Sequence, residues 1–196
     1  MSNKDYIRLA IFASGSGTNA QKIIDRFREH PRIRVVLIVC NKPEAGVLTI
    51  AAREGIPSLL ISRDRFLKGD GYVAHLEQER IDWIILAGFL WKVPSALIRA
   101  YPAHILNIHP ALLPKYGGKG MYGHFVHEAV IAAGEASSGI TIHLVDEQYD
   151  HGEPLFQVSC ALSPGETPET LAGKIQVLEH RYFPEVIERT VLGVPG

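Results

Sequence analysis

An asparagine and a histidine lie two residues apart at the end of the apolar run AHILNIH, directly before Pro110. Side chains alternate between the two faces of a strand, so Asn107 and His109 are predicted to project to the same side. An asparagine amide can donate to an oxyanion, and an imidazole can exchange a proton near neutral pH. Asp150, in the loop segment YDHGEP, is predicted to reach His109 and to favour its protonated form. The three residues form a candidate catalytic set for acyl transfer.

Other uses of these residue types stay open at this point. An N-x-H pair at the end of a strand can simply hydrogen-bond to a turn. Ser16 lacks the context of a nucleophile elbow, and Cys40 and Cys160 lie in apolar runs. Direct attack by a substrate amine is therefore simpler than a covalent acyl-enzyme. His124 and His127 share a predicted helix face but match no zinc signature, and DEQYDHGE lacks the spacing of a calcium loop. We predict no metal.

The glycine-rich segment GSGTNA follows the first predicted strand and fits the G-x-G-x-x-A spacing of a dinucleotide site. That interpretation also needs an acid at the end of the second strand, where Glu44 is the nearest one. A phosphate monoester is the alternative ligand, because Gly15 and Gly17 allow a tight turn that brings the N–H groups of Thr18 and Asn19 to an anion. A third possibility is that the glycines only form a tight turn and that Ser16, Thr18 and Asn19 cap the helix that follows, without binding a ligand. The density of Ser, Gly, Thr and Asn favours the phosphate.

Alternating strand and helix patterns place these motifs at one edge of a sheet. Strands are predicted at 8–13, 34–40, 58–61, 83–87, 105–109, 139–144 and 155–161, and helices at 19–29, 47–54, 71–79, 95–100, 123–133 and 168–189. Repeated β-α-β units with continuous apolar strands indicate an α/β fold whose mainly parallel sheet is covered on both faces. The last two strands are predicted to pair as a hairpin, which gives the sheet an antiparallel edge. Ligands bind at the carboxyl ends of strands in such sheets.

Two helix starts carry capping signals. Thr18 followed by Gln21 matches a capping box. Thr167 can cap the last helix, with Pro168 at the first helical position, where a missing N–H costs little.

The composition limits the classes of partner. The chain has 196 residues, of which 46% are hydrophobic and 21% charged, with a formal net charge of -1. We expect a single domain over 1–196 and no binding of nucleic acid or of an anionic membrane. The apolar runs are too short for a membrane helix, and the N-terminus reads as a first strand and not as a signal peptide. Two cysteines in apolar runs fit buried thiols and a cytoplasmic location.

Several segments together carry a family resemblance. FASGSGTN, VLIVCNKPEAG, ILAGFLWKVP, ILNIHPALLPKYGGKG, SGITIHLVDEQYDHGEP and LEHRYFPEVI resemble the glycinamide ribonucleotide formyltransferases, also called phosphoribosylglycinamide formyltransferases, which depend on 10-formyltetrahydrofolate. The match runs nearly end to end. It implies a single-domain, Rossmann-like formyltransferase fold with a seven-stranded sheet, and a role in de novo purine biosynthesis.

The resemblance also implies roles for the candidate catalytic set. Asn107, His109 and Asp150 match the catalytic trio of the family. By that analogy the amine of glycinamide ribonucleotide attacks the formyl carbon, and Asn107 and protonated His109 stabilise the oxyanion. Asp150 supports the imidazole and helps proton transfer through water.

Binding residues are implied in the same way. Those for the ribonucleotide are Gly17, Thr18 and Asn19 at the phosphate, Glu179 at the ribose and Pro110 at the border of the substrate. Those that enclose the pterin, largely through backbone groups, are Leu90, Trp91, Val93 and the loop 145–150 with Val145 and Asp146. Many relatives meet the folate tail with an arginine after the third strand, where this sequence offers Arg63 and Lys68. The segment KYGGKGMYGH is longer than in many relatives, and Lys115 and Lys119 can approach the phosphate or stay solvated.

Three functional hypotheses remain. The leading one is formyl transfer to glycinamide ribonucleotide, with small-molecule partners only and a monomer or weak homodimer. The second is hydrolysis of 10-formyltetrahydrofolate, in which water takes the place of the amine. The third is a non-catalytic or redox module that binds a nucleotide through GSGTNA, which leaves NIHP and YDHGEP without a purpose.

Overall fold

The structure is a computed structural model that describes residues 6–194. Its strands are β1 (Ile7–Ala13), β2 (Ile33–Cys40), β3 (Ser58–Leu60), β4 (Trp83–Leu86), β5 (Ile105–His109), β6 (Ser137–Leu144) and β7 (Pro154–Ala161). Its helices are α1 (Thr18–Phe27), α2 (Gly46–Glu54), α3 (Arg63–Lys68), α4 (Val73–Gln78), α5 (Ser95–Ala100), α6 (His124–Ala132) and α7 (Pro168–Val191). None of these helices is both long and apolar enough to cross a membrane.

The strands form one seven-stranded sheet in the order β3-β2-β1-β4-β5-β6-β7. β1 to β5 pair in parallel, whereas β6 pairs with β5 and β7 in antiparallel orientation. The predicted mainly parallel sheet with an antiparallel edge is therefore confirmed, as is the hairpin of the last two strands. The chain order reverses between the adjacent strands β1 and β4, which opens a crevice at their carboxyl ends.

Helices cover both faces of the sheet, and β1 shows why its sequence is almost continuously apolar. Ile11 lies in the core shared with α1, α6 and α7. The neighbouring Phe12 lies in the core on the opposite face, together with Phe66 of α3 and Leu76 of α4. Because successive residues of a strand point to opposite faces, a strand buried on both sides needs apolar residues at every position.

Helix α3 was not predicted from the sequence. It has six residues, and Phe66 is its only buried side chain. A single apolar residue shows no helical periodicity, so the sequence gives no signal for this helix. Its position is instead set by the packing of Phe66 against the sheet. The predicted helix over 71–79 is present as the shorter α4.

The capping box predicted at Thr18 and Gln21 is wrong. Gly17 is the N-cap residue, in a left-handed conformation with φ of 80°, and no side chain caps the helix. A Cβ atom at Gly17 would lie 2.8 Å from the Cα atom of Val47, so contact with α2 determines this turn. The Gln21 side chain instead donates to Glu54. The predicted cap of α7 is confirmed, since Thr167 accepts from the N–H of Thr170.

Candidate active site

A cavity of about 770 Å³ opens at the carboxyl edge of the sheet. It lies between the loops after β1 and β4, the end of β5, the β6–β7 loop and one side of α7. The predicted site residues that line it are Asn19, Leu90, Trp91, Val93, Asn107, His109, Pro110, Val145, Asp146, Asp150 and Glu179. The crevice predicted from the strand order thus brings residues from distant parts of the chain together.

Asn107 is held by a histidine on the neighbouring strand. The Nδ2 atom of Asn107 lies 3.0 Å from Nε2 of His143, the residue that pairs with it across β5 and β6. His143 places its Nδ1 atom 2.8 Å from the carbonyl of Leu144, so Nδ1 carries the proton and Nε2 accepts. Burial lowers the pKa of His143, which keeps the ring neutral. The Asn107 amide is therefore oriented with one N–H engaged and a second one free to donate.

His109 has two different partners on its two ring nitrogens. Its Nε2 atom lies 2.7 Å from the backbone carbonyl of Tyr116, which can only accept a hydrogen bond. Its Nδ1 atom lies 3.6 Å from Oδ1 of Asp150. Burial lowers the pKa of His109, and the charge of Asp150 and the Tyr116 carbonyl raise it in part. The neutral ring with its proton on Nε2 leaves Nδ1 as the nitrogen that can take up a proton.

Asp150 is placed by the backbone of the loop after β5. Its Oδ2 atom accepts the N–H of Gly118 at 2.9 Å, while its Oδ1 atom faces His109. The same Oδ1 atom lies 3.8 Å from Nε2 of His143. Asp150 has a φ of 51°, a conformation that asparagine and aspartate adopt more readily than most residues. The carboxylate therefore stands beside the imidazole, as predicted.

The opposite end of the cavity is formed by α1 and α7. Asn19 Nδ2 donates to Oε2 of Glu179 at 2.8 Å, and Oδ1 of Asn19 is buried without a partner among the described residues. Burial raises the pKa of Glu179, and the hydrogen bond from Asn19 lowers it only in part. Gln176, one turn before Glu179, donates to the Thr18 hydroxyl at 3.3 Å. This end therefore offers a ligand the Oδ1 atom of Asn19, which accepts no hydrogen bond from residues 6–194.

The end formed by the β4 loop combines aromatic rings with fixed backbone groups. The Leu90 N–H donates to the hydroxyl of Ser14 at 3.0 Å, which ties the loop after β4 to the loop after β1. Phe89 and Trp91 pack edge to face with ring centroids 6.2 Å apart. Across the cavity, the Val145 N–H donates to the carbonyl of Ile105, so the start of the β6–β7 loop is also anchored.

Four predicted binding residues do not line the cavity. Gly17 and Thr18 lie beside it at the start of α1. Arg63 and Lys68 lie on α3, and Lys68 pairs with Asp64 while its side chain is 81% exposed. Because Phe66 turns inward, the charged residues of this short helix face outward. Within residues 6–194, no group of three or more His, Cys, Asp or Glu side chains has the arrangement of a metal site.

Sequence reasoning missed three residues of the site. His143 is cross-strand to Asn107, and the alternation in ITIHL signals only that its side chain points to one face of the sheet. Gln176 precedes Glu179 by three residues, so helical spacing could have identified it. Tyr116 contributes its backbone carbonyl, for which a sequence carries no signal.

Residues 7–187 match the family model described as formyl transferase, and the chain belongs to this family. It is 41% identical to the chloroplastic phosphoribosylglycinamide formyltransferase of Arabidopsis thaliana over 92% of its own length. It spans 64% of that plant protein, less than two thirds. It is 33% identical to the phosphoribosylglycinamide formyltransferase of Bacillus subtilis, with 93% of each chain covered. The crystal structure of glycinamide ribonucleotide transformylase 1 from Geobacillus kaustophilus superposes with a TM-score of 0.84 at 37% identity, covering 93% of this chain and 97% of that one.

Proposed function

We propose that this chain transfers the formyl group of 10-formyltetrahydrofolate to the amine of glycinamide ribonucleotide. We also propose that residues 1–196 form a single domain. The observation that carries the proposal is the grouping of Asn107, His109 and Asp150 around one cavity, with the Nδ1 atom of His109 3.6 Å from Asp150. An amide donor, a basic nitrogen and a carboxylate are what amine attack on a formyl carbon requires. Membership of the formyl transferase family supports the same reaction.

The amine nitrogen attacks the formyl carbon, and the formyl oxygen becomes an oxyanion. The free N–H of Asn107 donates to this oxyanion. As the attacking nitrogen becomes positive, its proton passes to Nδ1 of His109, which then donates to the oxyanion as an imidazolium beside Asp150. The bond from the formyl carbon to the folate nitrogen breaks, and that nitrogen receives the proton as it leaves. The protonated form of His109, which the sequence predicted Asp150 to favour, is formed in this proposal only during the reaction, because burial lowers the pKa of the resting imidazole.

The two ends of the cavity suit the two substrates. The buried carboxylate of Glu179 has one hydrogen bond from Asn19 and accepts readily from the hydroxyls of a ribose. The start of α1 and the side chain of Gln176 lie on the same side, where a phosphate would be bound. Gly17 and Thr18 contribute to that end through the backbone, and Pro110 borders the reacting groups.

The aromatic end of the cavity suits the pterin of the formyl donor. Trp91 and Val93 provide apolar surface, and the backbones of Leu90 and Val145 are held in place by hydrogen bonds to Ser14 and Ile105. The Asp146 side chain accepts from the N–H of Gln148 in the same loop. A folate-type cosubstrate therefore fits the residues that are present. Contact of Arg63 and Lys68 with the folate tail stays a prediction, as do the cytoplasmic location and the monomer or weak homodimer.

The test is an assay with glycinamide ribonucleotide and 10-formyltetrahydrofolate, in which the formylated ribonucleotide is measured by mass spectrometry. Product should form only when both substrates are present. Replacing Asn107 or His109 by alanine should lower kcat by about 10²- to 10³-fold, the usual cost of losing an oxyanion donor or an acid-base group.

His104→Ala is the matched control, because this exposed histidine lies directly before β5, at its other end. It should retain the rate of the unchanged protein. Release of formate from 10-formyltetrahydrofolate at the same rate without the ribonucleotide would show a hydrolase instead. Wild-type turnover in His109→Ala would contradict the proposed mechanism.

A further inference from the structure

A single turn contacts both the imidazole and the carboxylate of the candidate catalytic set. We call residues 115–118 the Tyr116 turn. Its Tyr116 carbonyl accepts from Nε2 of His109 at 2.7 Å, and its Gly118 N–H donates to Oδ2 of Asp150 at 2.9 Å. The relative position of His109 and Asp150 therefore depends on the backbone of this turn.

The backbone of the turn adopts a conformation that its sequence does not favour. Tyr116 has a φ of 57°, in the left-handed region that bulky residues rarely occupy. Such a conformation persists only where the surrounding contacts hold it, and it is often found at functional sites. The side chain of Tyr116 must therefore be anchored by something outside the turn.

Glu135 provides that anchor. It lies between α6 and β6, and its Oε1 atom accepts from the Tyr116 hydroxyl at 2.7 Å and from Lys115 Nζ at 2.8 Å. These two hydrogen bonds lower the pKa of Glu135, so the carboxylate stays ionised. Glu135 is not among the residues that line the cavity and touches neither His109 nor Asp150. Among residues 6–194, its hydrogen bonds connect it to the site through the Tyr116 turn.

We propose that Glu135 and the Tyr116 hydroxyl are positioning residues for the reaction, because they hold the carbonyl that selects the tautomer of His109. This inference rests on the proposed function. With Nε2–H donating to Tyr116, the neutral ring keeps its lone pair on Nδ1, where the amine proton must go. If the carbonyl moves away, the neutral ring can instead carry its proton on Nδ1, facing the Asp150 carboxylate. That tautomer cannot accept a proton at the reacting position.

The charged groups around His109 set the direction of the effect on its titration. Asp150 faces it from the β6–β7 loop, and His143 on β6 and His127 on α6 are the other titratable neighbours. Burial lowers the pKa of both of these histidines, so they are neutral near pH 7. The Tyr116 carbonyl raises the pKa of His109, so loosening the turn should lower it. The acidic limb of the rate profile then moves to lower pH.

The experiment compares Tyr116→Phe and Glu135→Gln with the control Tyr101→Phe. Tyr101 lies at the end of α5, away from the cavity, and its hydroxyl is buried without a hydrogen-bond partner among the described residues. Tyr116→Phe removes only the hydroxyl and should lower kcat by about 10- to 100-fold, the cost of a small misplacement of catalytic groups. The KM values of both substrates should stay within about twofold, because the binding ends of the cavity are untouched. Tyr101→Phe should keep the rate of the unchanged protein.

Glu135→Gln keeps an oxygen that can accept from Tyr116, so its loss should be smaller than that of Tyr116→Phe. The double variant should be no slower than Tyr116→Phe alone, because both changes break one connection. An unchanged kcat and an unchanged acidic limb in Tyr116→Phe would overturn the proposal. A raised KM with normal kcat would overturn it as well, since that pattern indicates lost binding.

A measurement without turnover separates this proposal from the proposed function. The nitrogen NMR shifts of the His109 ring report which nitrogen carries the proton. The unchanged protein should show the proton on Nε2 near pH 7, and Tyr116→Phe should show a mixture of tautomers. The same tautomer in both proteins would overturn the positioning role. An unchanged protein that shows the expected tautomer but forms no formylated ribonucleotide would count against the proposed function alone.

Discussion

At the scale of single residues, each member of the candidate catalytic set is oriented by a partner from another part of the chain. His143 fixes the amide of Asn107 across two antiparallel strands, and the Tyr116 carbonyl fixes the ring of His109. Burial lowers the pKa of the His109 imidazole, and the charge of Asp150 and the Tyr116 carbonyl raise it only in part. The pKa therefore lies below the ordinary histidine value, which suits a group that must be a base at neutral pH.

Asp150→Asn tests this balance. Only the Tyr116 carbonyl then opposes the effect of burial, so the pKa of the His109 imidazole should fall further and the acidic limb of kcat against pH should move to lower pH. Loss of the carboxylate should also lower kcat by about 10²-fold near pH 7, because the imidazolium formed in the reaction is no longer stabilised. The pH profiles of the variant and the unchanged protein provide the measurement. Asp25→Asn, on the outer side of α1, should change neither the rate nor the profile.

At the scale of elements, two neighbouring residues of the β6–β7 loop are under different steric constraints. His151 has a side chain that is 63% exposed, and its Nδ1 atom lies 2.8 Å from Oδ2 of Asp146. At Gly152, by contrast, a Cβ atom would lie 1.9 Å from the carbonyl oxygen of Leu144. Position 152 therefore needs a glycine, because two backbone segments approach closely there.

Gly152→Ala should therefore displace the loop that carries Asp146 and Asp150. We expect a kcat reduced by about 10²-fold, since displacement of Asp150 by about 1 Å disrupts the catalytic geometry. The KM for the formyl donor should rise as well. His151→Ala is the matched control, and it should leave kcat unchanged and change the free energy of unfolding by less than about 1 kcal/mol, because it removes only an exposed side chain that contacts Asp146. Equal effects of the two changes on kcat would contradict this account of the loop.

At the scale of the whole molecule, the site lies above the junction of two cores on opposite faces of one sheet. The core under the aromatic end contains Phe66, whose ring contacts those of Phe12, Phe89 and Trp91. Phe66 is fully buried, and it connects the short helix α3 to both the sheet and the cavity wall. Stability and the shape of that end of the cavity therefore depend on the same side chain.

Phe66→Ala should lower the free energy of unfolding by about 3–5 kcal/mol, the usual cost of removing a buried phenylalanine. Phe125→Ala is the matched control, because Phe125 is 53% exposed and packs on Tyr122. Its effect should stay within about 1 kcal/mol. Urea unfolding followed by circular dichroism provides the comparison. A loss of less than about 1 kcal/mol in Phe66→Ala would contradict the role given to this core.

The sequence by itself determined the mainly parallel sheet and the common orientation of Asn107 and His109, two members of the candidate catalytic set. β5 has the bounds that were predicted, because an apolar run closed by proline identifies a strand locally. The side-chain alternation of a strand then brings Asn107 and His109 to one side without further information. The cap of α7 was predictable for the same reason, since Thr167 and Thr170 lie within one turn of each other.

Only the tertiary structure decided which groups surround that pair. The distance from His109 to Asp150, the contact of Asn107 with His143 and the carbonyl of Tyr116 all depend on loops whose backbone conformations are not set locally. Tyr116 and Asp150 both have positive φ values, which cannot be predicted from their residue types alone. The tight turn at Gly17 was predicted, but the close approach of Val47, which leaves no room for a Cβ atom at that position, was not. Strands and caps are specified by neighbouring residues, whereas these contacts join segments far apart in sequence and form only when the sheet and its loops pack together.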